Sequence, residues 1–494
     1  MKSSLHPSDI QQISPIYLFS GFAVVTLLSV FGAIVLEQSV LYALPCAILL
    51  LLFLLIDLKK IFLLLIFLMP FSIEVDLGAV ATDFPTEPLM VLLMFAAFLY
   101  FRMHPNALSK QFTRHPVVLL ILLHLVWIGI TVVYSLVFLV SFKFFLVKLW
   151  YITVFVFLAG LFIKEEKDFK PVFWLIFVPL VFITARAIYL HWTYDFGFRM
   201  VNKTMVPFFR NHVNYAVFLV IFLPYIWLAR RWVKKGSLVS LFLHLGLVVI
   251  LTGIWFAYTR AAYASILLIP AIYYIFKFRL SAFLGIIGTI VITLSILYYS
   301  QDYRFLDFAP DFESTIYHHK LGSHLSATFE GKDVSFMERV HRWIAAINMS
   351  QDNFWAGFGP GNFYQYYKNY TIGDFETYVS DNPEKSGVHN YFLMTLVEQG
   401  IIGLFIFIVF ILALFVTGEN IYHAATDPHQ RTFIMVIMMS IAFLVLNLFV
   451  SDLLEADKIG PLFFMNIAML INQGILVKNK QQVSLSQNPL PNPS

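Results

Sequence analysis

Apolar runs separated by short polar turns repeat along nearly the whole chain. A helix needs about 20 predominantly apolar residues to cross the hydrocarbon core of a bilayer. About 14 runs approach this length, and two of them, Ile61–Ile73 and Pro88–Phe101, are short. The pattern predicts an all-α polytopic membrane protein with a bundle of about 12–14 transmembrane helices. The other runs are Tyr17–Leu36, Ser39–Ile56, Val117–Tyr134, Phe144–Ile163, Val172–Leu190, Val213–Ala229, Leu238–Tyr258, Ala262–Phe276, Ala282–Tyr299, Ile401–Val416, Thr432–Val450 and Pro461–Leu476.

The longest interruption of the apolar pattern divides the chain into regions. We predict N-terminal transmembrane helices in residues 1–299, one large extracytoplasmic loop in 300–390, and C-terminal transmembrane helices in 391–476. The loop is acidic and aromatic, and helical spacing within it predicts a helix over Phe336–Met349. Residues 477–494 are polar and rich in Pro, Asn, Gln and Ser, so they are predicted to be a disordered cytoplasmic tail.

Composition supports the membrane interpretation. Of 494 residues, 60% are hydrophobic and only 13% are charged, and the mean hydropathy is +0.79. This excludes a cytosolic globular enzyme, a disordered protein and a nucleic-acid-binding module. Cys46 is the single cysteine, so there is no intramolecular disulfide framework and no cysteine-based metal site. The weak charged region at the N-terminus and the lack of a clear cleavage site argue against a cleavable signal peptide.

The lysines and arginines of the short loops favour one side of the membrane. They follow every second predicted span, which predicts that both termini are cytoplasmic and that residues 300–390 face outward. These basic residues are Lys59, Lys60, Arg102, Lys110, Arg114, Lys164, Lys167, Lys170, Arg230, Arg231, Lys234, Lys235, Lys277, Arg279, Lys478 and Lys480.

Several arginines break this charge rule. Arg199, Arg210 and Arg260 fall in loops predicted to face outward, and Arg186 lies within a predicted span. Arginines at membrane level on the outer side indicate an anionic ligand there. The alternative interpretation is interfacial anchoring or a structural ion pair, and both interpretations stay open for each arginine.

A glycine-rich stretch follows the predicted loop helix. Gly357, Gly359 and Gly361 form part of Gly-Phe-Gly-Pro-Gly-Asn-Phe. Pro360 interrupts the run and no lysine of a phosphate-binding loop follows, so we interpret it as a tight turn that exposes backbone. Contact with a ligand's phosphate or sugar is the alternative.

The sharpest motif is His389-Asn390, followed after nine residues by Gly400 and then Gly403. In a continuous helix both glycines lie on one stripe beneath the histidine, where they permit close approach of a neighbouring helix. His389 at the outer mouth is a candidate catalyst, with a helix cap or interface residue as the alternative. Glu398 is a second ionisable group near the membrane edge, with an ion pair to an arginine as its alternative.

These residues resemble the O-antigen ligase superfamily, bacterial enzymes that transfer glycan from undecaprenyl diphosphate. The His-Asn-x9-Gly-x2-Gly pattern is the strongest match. The other three matches are Arg339-x3-Trp343 leading into the glycine stretch, the Thr259-Arg260 pair at the outer end of a span, and Arg210-Asn211-His212-Val213-Asn214 opening a span. The resemblance covers about residues 186–450.

The resemblance implies a metal-independent, inverting glycosyltransferase without a cofactor. Arg260 and Arg210 would hold the donor diphosphate, with Arg186, Asn390 and Glu398 as further substrate-binding residues. His389 would act as the general base or orient the acceptor hydroxyl. The implied partners are an undecaprenyl-diphosphate-linked glycan donor, a lipid-linked or glycan acceptor such as lipid A-core, and membrane lipids. The implied location is the bacterial inner membrane, with a periplasmic large loop.

Two other functions fit the same sequence. A polymerase of the same superfamily uses the same donor but a different acceptor. A polysaccharide transporter or flippase is allowed by the span count, although the large one-sided loop and the lack of a visible repeat pair argue against it.

Overall fold

The structure is a computed structural model that describes residues 57–76, 81–300, 334–371 and 387–487, together with positions 24, 26, 28 and 29. The chain divides into two compact units, Met1–Leu64 and Leu65–Ser494, and the candidate site lies in the second. The described residues of the second unit are almost entirely helical, and the one small sheet among them pairs β1 (Ile73–Asp76) with β2 (Ala81–Phe84) in antiparallel register.

The helices follow the apolar runs of the sequence, and nine of those in the described ranges are long and apolar enough to cross a membrane. The prediction of an all-α polytopic membrane protein is confirmed. The helices are α1 Leu58–Leu68, α2 Thr86–Met103, α3 Lys110–Thr113, α4 Pro116–Val133, α5 Phe138–Phe162 with a π-helical segment Thr153–Leu158, α6 Glu166–Trp192, α7 Val201–Met205, α8 His212–Ala229, α9 Leu238–Phe256, α10 Arg260–Leu267, α11 Ile269–Lys277, α12 Ser281–Ser300, α13 Val334–Asp352, α14 Phe363–Tyr366, α15 Tyr391–Ala424, α16 Pro428–Leu448 and α17 Ile459–Gln487. Short 3-10 turns lie at Met69–Phe71, Phe198–Met200, Tyr367–Tyr370 and Leu453–Glu455.

The count of 12–14 spans is confirmed only in part. The predicted spans Tyr17–Leu36 and Ser39–Ile56 lie almost wholly outside the described residues. The run Ile61–Ile73 yields only the 11-residue α1, which is too short to cross a bilayer. The run Ala262–Phe276 is divided at Leu268 into α10 and α11. α11 and the first part of α12 form a pair bent by 118°, which counts as a tenth span if it is one.

The predicted disordered tail is wrong for its first part. α17 continues to Gln487, so residues 477–487 are helical. Polar side chains on this extension bind backbone and side chains of the preceding helices: Gln481 donates to the Ala424 carbonyl at 3.0 Å, and Lys480 donates to Gln430 at 3.2 Å. A polar composition therefore does not end a helix when the helix has packing partners. Residues 488–494 lie outside the described range.

Loops gather at two ends of the bundle. One end, here called the His389 end, holds residues 193–211, 257–259, 353–363, 387–390 and 449–458. Its loops are tied to one another, for example by Tyr258, whose hydroxyl donates to the Phe196 carbonyl at 2.8 Å. The opposite end carries most of the basic residues, and there Asn472 donates to the Ile163 carbonyl at 2.8 Å. This separation agrees with the charge pattern, while the orientation across the membrane stays a prediction.

Candidate functional site

His389 lies in the turn that opens α15. Its backbone has a positive φ of 56°, a conformation that non-glycine residues seldom adopt. The turn is held from three directions: the His389 N–H donates to Asp452 Oδ2 at 2.9 Å, Arg342 donates to the Gly387 carbonyl at 3.4 Å, and Asn390 caps α15 by accepting from Phe392 and Leu393 N–H. Because a rare backbone conformation persists only when its surroundings fix it, these contacts set the position of the imidazole.

Two arginines from α13 approach this imidazole. Burial, followed by the positive charges of Arg342 and Arg339, lowers the pKa of His389 to about 3. The ring is therefore neutral at physiological pH and carries a free lone pair, which is the state a general base requires. Asn390 was predicted to bind substrate. In the structure its side-chain oxygen accepts the hydrogen bonds that cap α15.

Asp452 is a site residue that the sequence reasoning did not identify. It lies between α16 and α17, and its carboxylate accepts from the backbone of His389. Burial raises the pKa of Asp452 to about 6, against the lowering effect of the backbone N–H groups of His389 and Asn390 and of Arg342. Gly387 lies so close to Asp452 that an added Cβ would collide with its carboxylate. One feature of the sequence could have identified Asp452: the short loop between the last two apolar runs contains several charged residues.

A buried ion pair contacts the first residue of α15, directly after the His389 turn. Lys148 of α5 is 3% exposed and lies 2.7 Å from the Glu455 carboxylate. The Tyr391 hydroxyl donates to the same carboxylate oxygen at 2.7 Å and lies 3.2 Å from the Lys148 ammonium. Tyr391 follows His389 by two positions and Glu455 follows Asp452 by three, so this triad joins both halves of the His389 turn.

The three loop glycines clamp the loop onto α15. Phe358 N–H donates to the Val397 carbonyl and Gly359 N–H donates to the Glu398 carbonyl, both at 2.9 Å. Gly357, Gly359 and Gly361 all have positive φ, and a Cβ at Gly357 would collide with the backbone at Glu398. The glycines therefore serve close approach of two protein segments, which supports the interpretation as a tight turn.

Gly400 has a different role from the one predicted. α15 is not continuous there, because Gly400 has φ 69° and ψ −176° and the helix is kinked. An added Cβ would collide with the Trp355 carbonyl, and the N–H of the next residue, Ile401, donates to the Phe354 carbonyl at 2.8 Å. The single stripe of His389, Gly400 and Gly403 is thus wrong, since Gly400 admits the loop and not a neighbouring helix.

Glu398 lies inside this clamp, and Gly403 follows it further along α15. Glu398 is 3% exposed and accepts from Phe363 N–H at 3.3 Å. The Glu398 carboxylate thus accepts a hydrogen bond from the loop backbone. The sequence had predicted that it contacts substrate or forms an ion pair with an arginine. Gly403 lies near the Trp127 indole of α4, which donates to the Gln399 carbonyl at 2.9 Å.

Arg260 begins α10 at the same end of the bundle. The hydroxyl of the preceding Thr259 is buried and donates to the His212 carbonyl at 3.4 Å. Arg339 interacts electrostatically with both His212 and His389. These neighbours link the start of α10, the start of α8 and the His389 turn into one region that is rich in positive charge.

One protein family matches part of the chain that contains this site. Residues 245–408 match the family model described as O-Antigen ligase. This part of the chain is therefore similar to the O-antigen ligase family. No curated protein matches the chain. The match supports a membrane enzyme of the O-antigen ligase or polymerase type, acting on lipid-linked glycan.

The O-antigen ligase region contains Arg260, Arg339 and His389, together with the glycine clamp. It ends before α16, so Asp452 and Glu455 reach the site from outside it. Arg339 is a second site residue that the sequence reasoning quoted only as part of a motif. The roles of all these residues in this O-antigen ligase-like protein remain predictions.

Two predicted substrate-binding arginines have protein partners. Arg210 is exposed and lies 3.5 Å from Glu74, which follows the start of β1. Arg186 donates to the Val206 carbonyl at 3.1 Å and lies over the Phe208 ring. The structural alternative therefore gains support for Arg186. Within the described residues, no three His, Cys, Asp or Glu side chains are grouped to hold a metal ion.

Proposed function

We propose that this protein is a bacterial inner-membrane glycosyltransferase of the O-antigen ligase type. It transfers glycan from an undecaprenyl-diphosphate carrier to a sugar hydroxyl of an acceptor such as lipid A-core. Both termini are cytoplasmic and the His389 end faces the periplasm. The observation that carries the proposal is a neutral His389 imidazole, flanked by arginines, in a turn whose backbone N–H donates to Asp452 and in a region that matches the O-antigen ligase family.

The reaction needs a base and a site for leaving-group charge. The acceptor oxygen attacks the anomeric carbon while His389 takes the hydroxyl proton, so a C–O bond forms to the acceptor. The bond from the anomeric carbon to the phosphate oxygen breaks, and its electron pair leaves with the diphosphate. Arg260 and Arg339 stabilise that charge, because guanidinium groups bind phosphate oxygens bidentately and keep their charge. Displacement from the opposite face inverts the anomeric configuration.

The arginines also couple donor binding to the strength of the base. Arg342 and Arg339 help to hold the pKa of His389 near 3 in the unliganded protein. A bound diphosphate offsets their positive charge, which raises the pKa of His389 toward its ordinary value. His389 thus becomes a stronger base only when the donor is present, and this limits proton removal in the absence of substrate.

A transfer assay tests the proposal. The purified protein is placed in lipid nanodiscs with lipid-linked glycan and acceptor lipid extracted from the cells that make it, and new glycosidic product is measured. His389→Ala should lower transfer by about 10²–10⁴-fold. The control is His429→Ala, an exposed histidine at the opposite end of the bundle. Equal activity in both variants would remove His389 from catalysis. Glycan on the acceptor lipid identifies a ligase, and longer glycan on the carrier identifies a polymerase.

A further inference from the structure

An open pocket of about 430 Å³ lies beside the region of Arg260 and is not used by the mechanism above. Its volume lies in the range of small-molecule sites. It is lined by Phe198, Arg199, Val201, Asn202 and His212. The pocket thus combines an aromatic ring, a cation, an amide and an imidazole within one short segment.

The walls of the pocket are held in place by neighbouring elements. Phe196 stacks on Phe256 at 4.1 Å between ring centroids, and its carbonyl accepts from the Tyr258 hydroxyl. Phe198 meets Tyr258 and His212 edge to face, at 5.7 Å and 6.0 Å. Since Tyr258 precedes Thr259-Arg260 directly, the pocket and the start of α10 form adjoining parts of one surface.

The hydrogen bonds fix which groups face a ligand. Asn202 Oδ1 accepts from the His212 backbone N–H at 3.0 Å, so this atom is the carbonyl oxygen of the amide. The same oxygen lies 2.8 Å from His212 Nδ1, which must therefore carry the proton. In the neutral ring Nε2 is then an acceptor, while the Asn202 amide retains its NH₂ donors.

We infer that this pocket binds one sugar residue that carries an anionic group, a phosphate or a carboxylate. The ring of Phe198 covers the apolar C–H face of a pyranose, His212 Nε2 accepts from a sugar hydroxyl, and Asn202 donates to another. Arg199 is exposed and binds the anionic substituent. The inference rests on the proposed function in one respect, since that function supplies saccharide substrates at this end of the bundle.

Direct binding tests the pocket without any transfer reaction. Glucose 6-phosphate is titrated calorimetrically against the full-length protein in nanodiscs, with methyl glucoside and inorganic phosphate as comparison ligands. Glucose 6-phosphate should bind more tightly than either. Arg199→Gln should weaken it by about tenfold and Phe198→Leu by about fivefold. Lys203→Gln changes an exposed lysine of α7 that does not line the pocket, and it should leave binding unchanged.

Two results would overturn the inference. Inorganic phosphate that binds as tightly as glucose 6-phosphate would leave only an anion site. Equal weakening by Lys203→Gln and Arg199→Gln would leave only diffuse positive charge. Both Arg199 and Lys203 are exposed, so neither substitution removes core packing.

Transfer kinetics identify the source of the sugar. Arg199→Gln should raise the KM for the donor if the pocket holds a donor sugar, or the KM for the acceptor if it holds an acceptor sugar, with kcat nearly constant. Unchanged KM values for both substrates would contradict a role in transfer. A protein that transfers no glycan at all would refute the proposed function, while the calorimetric result still decides whether the pocket binds a sugar.

Discussion

Replacing one partner of the buried ion pair between Lys148 and Glu455 should lower the free energy of unfolding more than replacing both partners. Lys148→Met leaves the Glu455 carboxylate, which is 21% exposed and keeps the Tyr391 hydroxyl, so we expect a loss of about 3 kcal/mol. Glu455→Gln leaves an ammonium that is 3% exposed within a membrane-spanning helix, so the loss should reach about 5 kcal/mol. The double variant should lose less than either single variant. The same losses should reduce transfer, because the pair supports the His389 turn.

The free energy of unfolding is measured by SDS titration in mixed micelles, followed by circular dichroism. The double-mutant cycle should give a coupling of at least about 5 kcal/mol between Lys148 and Glu455, because the single losses sum to about 8 kcal/mol and the double variant should lose less than about 3 kcal/mol. The control cycle uses Lys167→Met and Glu165→Gln, an ion pair of similar length at 2.8 Å whose side chains are 71% and 46% exposed. That pair should show no measurable coupling. Additive effects at Lys148 and Glu455 would refute the assignment of a buried pair that holds this region together.

Three further predictions concern the site and its orientation. Arg260→Lys should strongly reduce transfer at matched protein levels, because lysine lacks the two-pronged donor of arginine, whereas Arg230→Lys at the opposite end should be tolerated; equal tolerance would remove Arg260 from the donor site. A periplasmic reporter should be active after Lys332 and inactive after Lys235, and the reverse pattern would contradict the proposed orientation. Since a base must be deprotonated and the pKa of His389 is lowered to about 3, its protonation should not reduce kcat/KM between pH 7 and about pH 4. Asp452, with a pKa of about 6, can titrate in this range, so the profile is compared with that of Asp452→Asn, and an acid limb near pH 6.5 that persists in this variant would contradict the assignment.

Hydropathy predicted most of the fold because long apolar runs have few alternatives in a bilayer. Nine predicted runs correspond to the nine helices in the described part of the chain that are long and apolar enough to cross a membrane. The failures are local. The run Ala262–Phe276 is divided at Leu268, next to Pro270, which cannot donate a helical hydrogen bond. A sliding measure of apolarity averages over such a break.

The glycine stripe failed for a different physical reason. Placing Gly400 and Gly403 beneath His389 assumed unbroken helical periodicity. The backbone at Gly400 departs from this periodicity. The N–H of the next residue, Ile401, donates a hydrogen bond to the Phe354 carbonyl in the glycine loop and not to a carbonyl of its own helix. Contacts between segments this distant in sequence leave no trace in local spacing.

The site residues likewise divide into those that a local sequence pattern identified and those that only tertiary contacts revealed. His389 stood out because it opens the His-Asn-x9-Gly-x2-Gly motif, and Arg260 because it breaks the charge rule of the loops. Asp452 and Glu455 became visible only when the loop between α16 and α17 was brought against the start of α15. Their importance depends on a tertiary contact, so it is not encoded in any short motif.

The glycine clamp also bears on how such a protein can diverge. The chain is anchored at Phe363 through Glu398 and again at Gly387 through Arg342, so the segment between these points leaves and returns at fixed positions. Insertions and deletions between two fixed anchors cost little, since loop entropy changes slowly with length. This stretch can therefore vary in length while the two anchors keep the His389 turn in place.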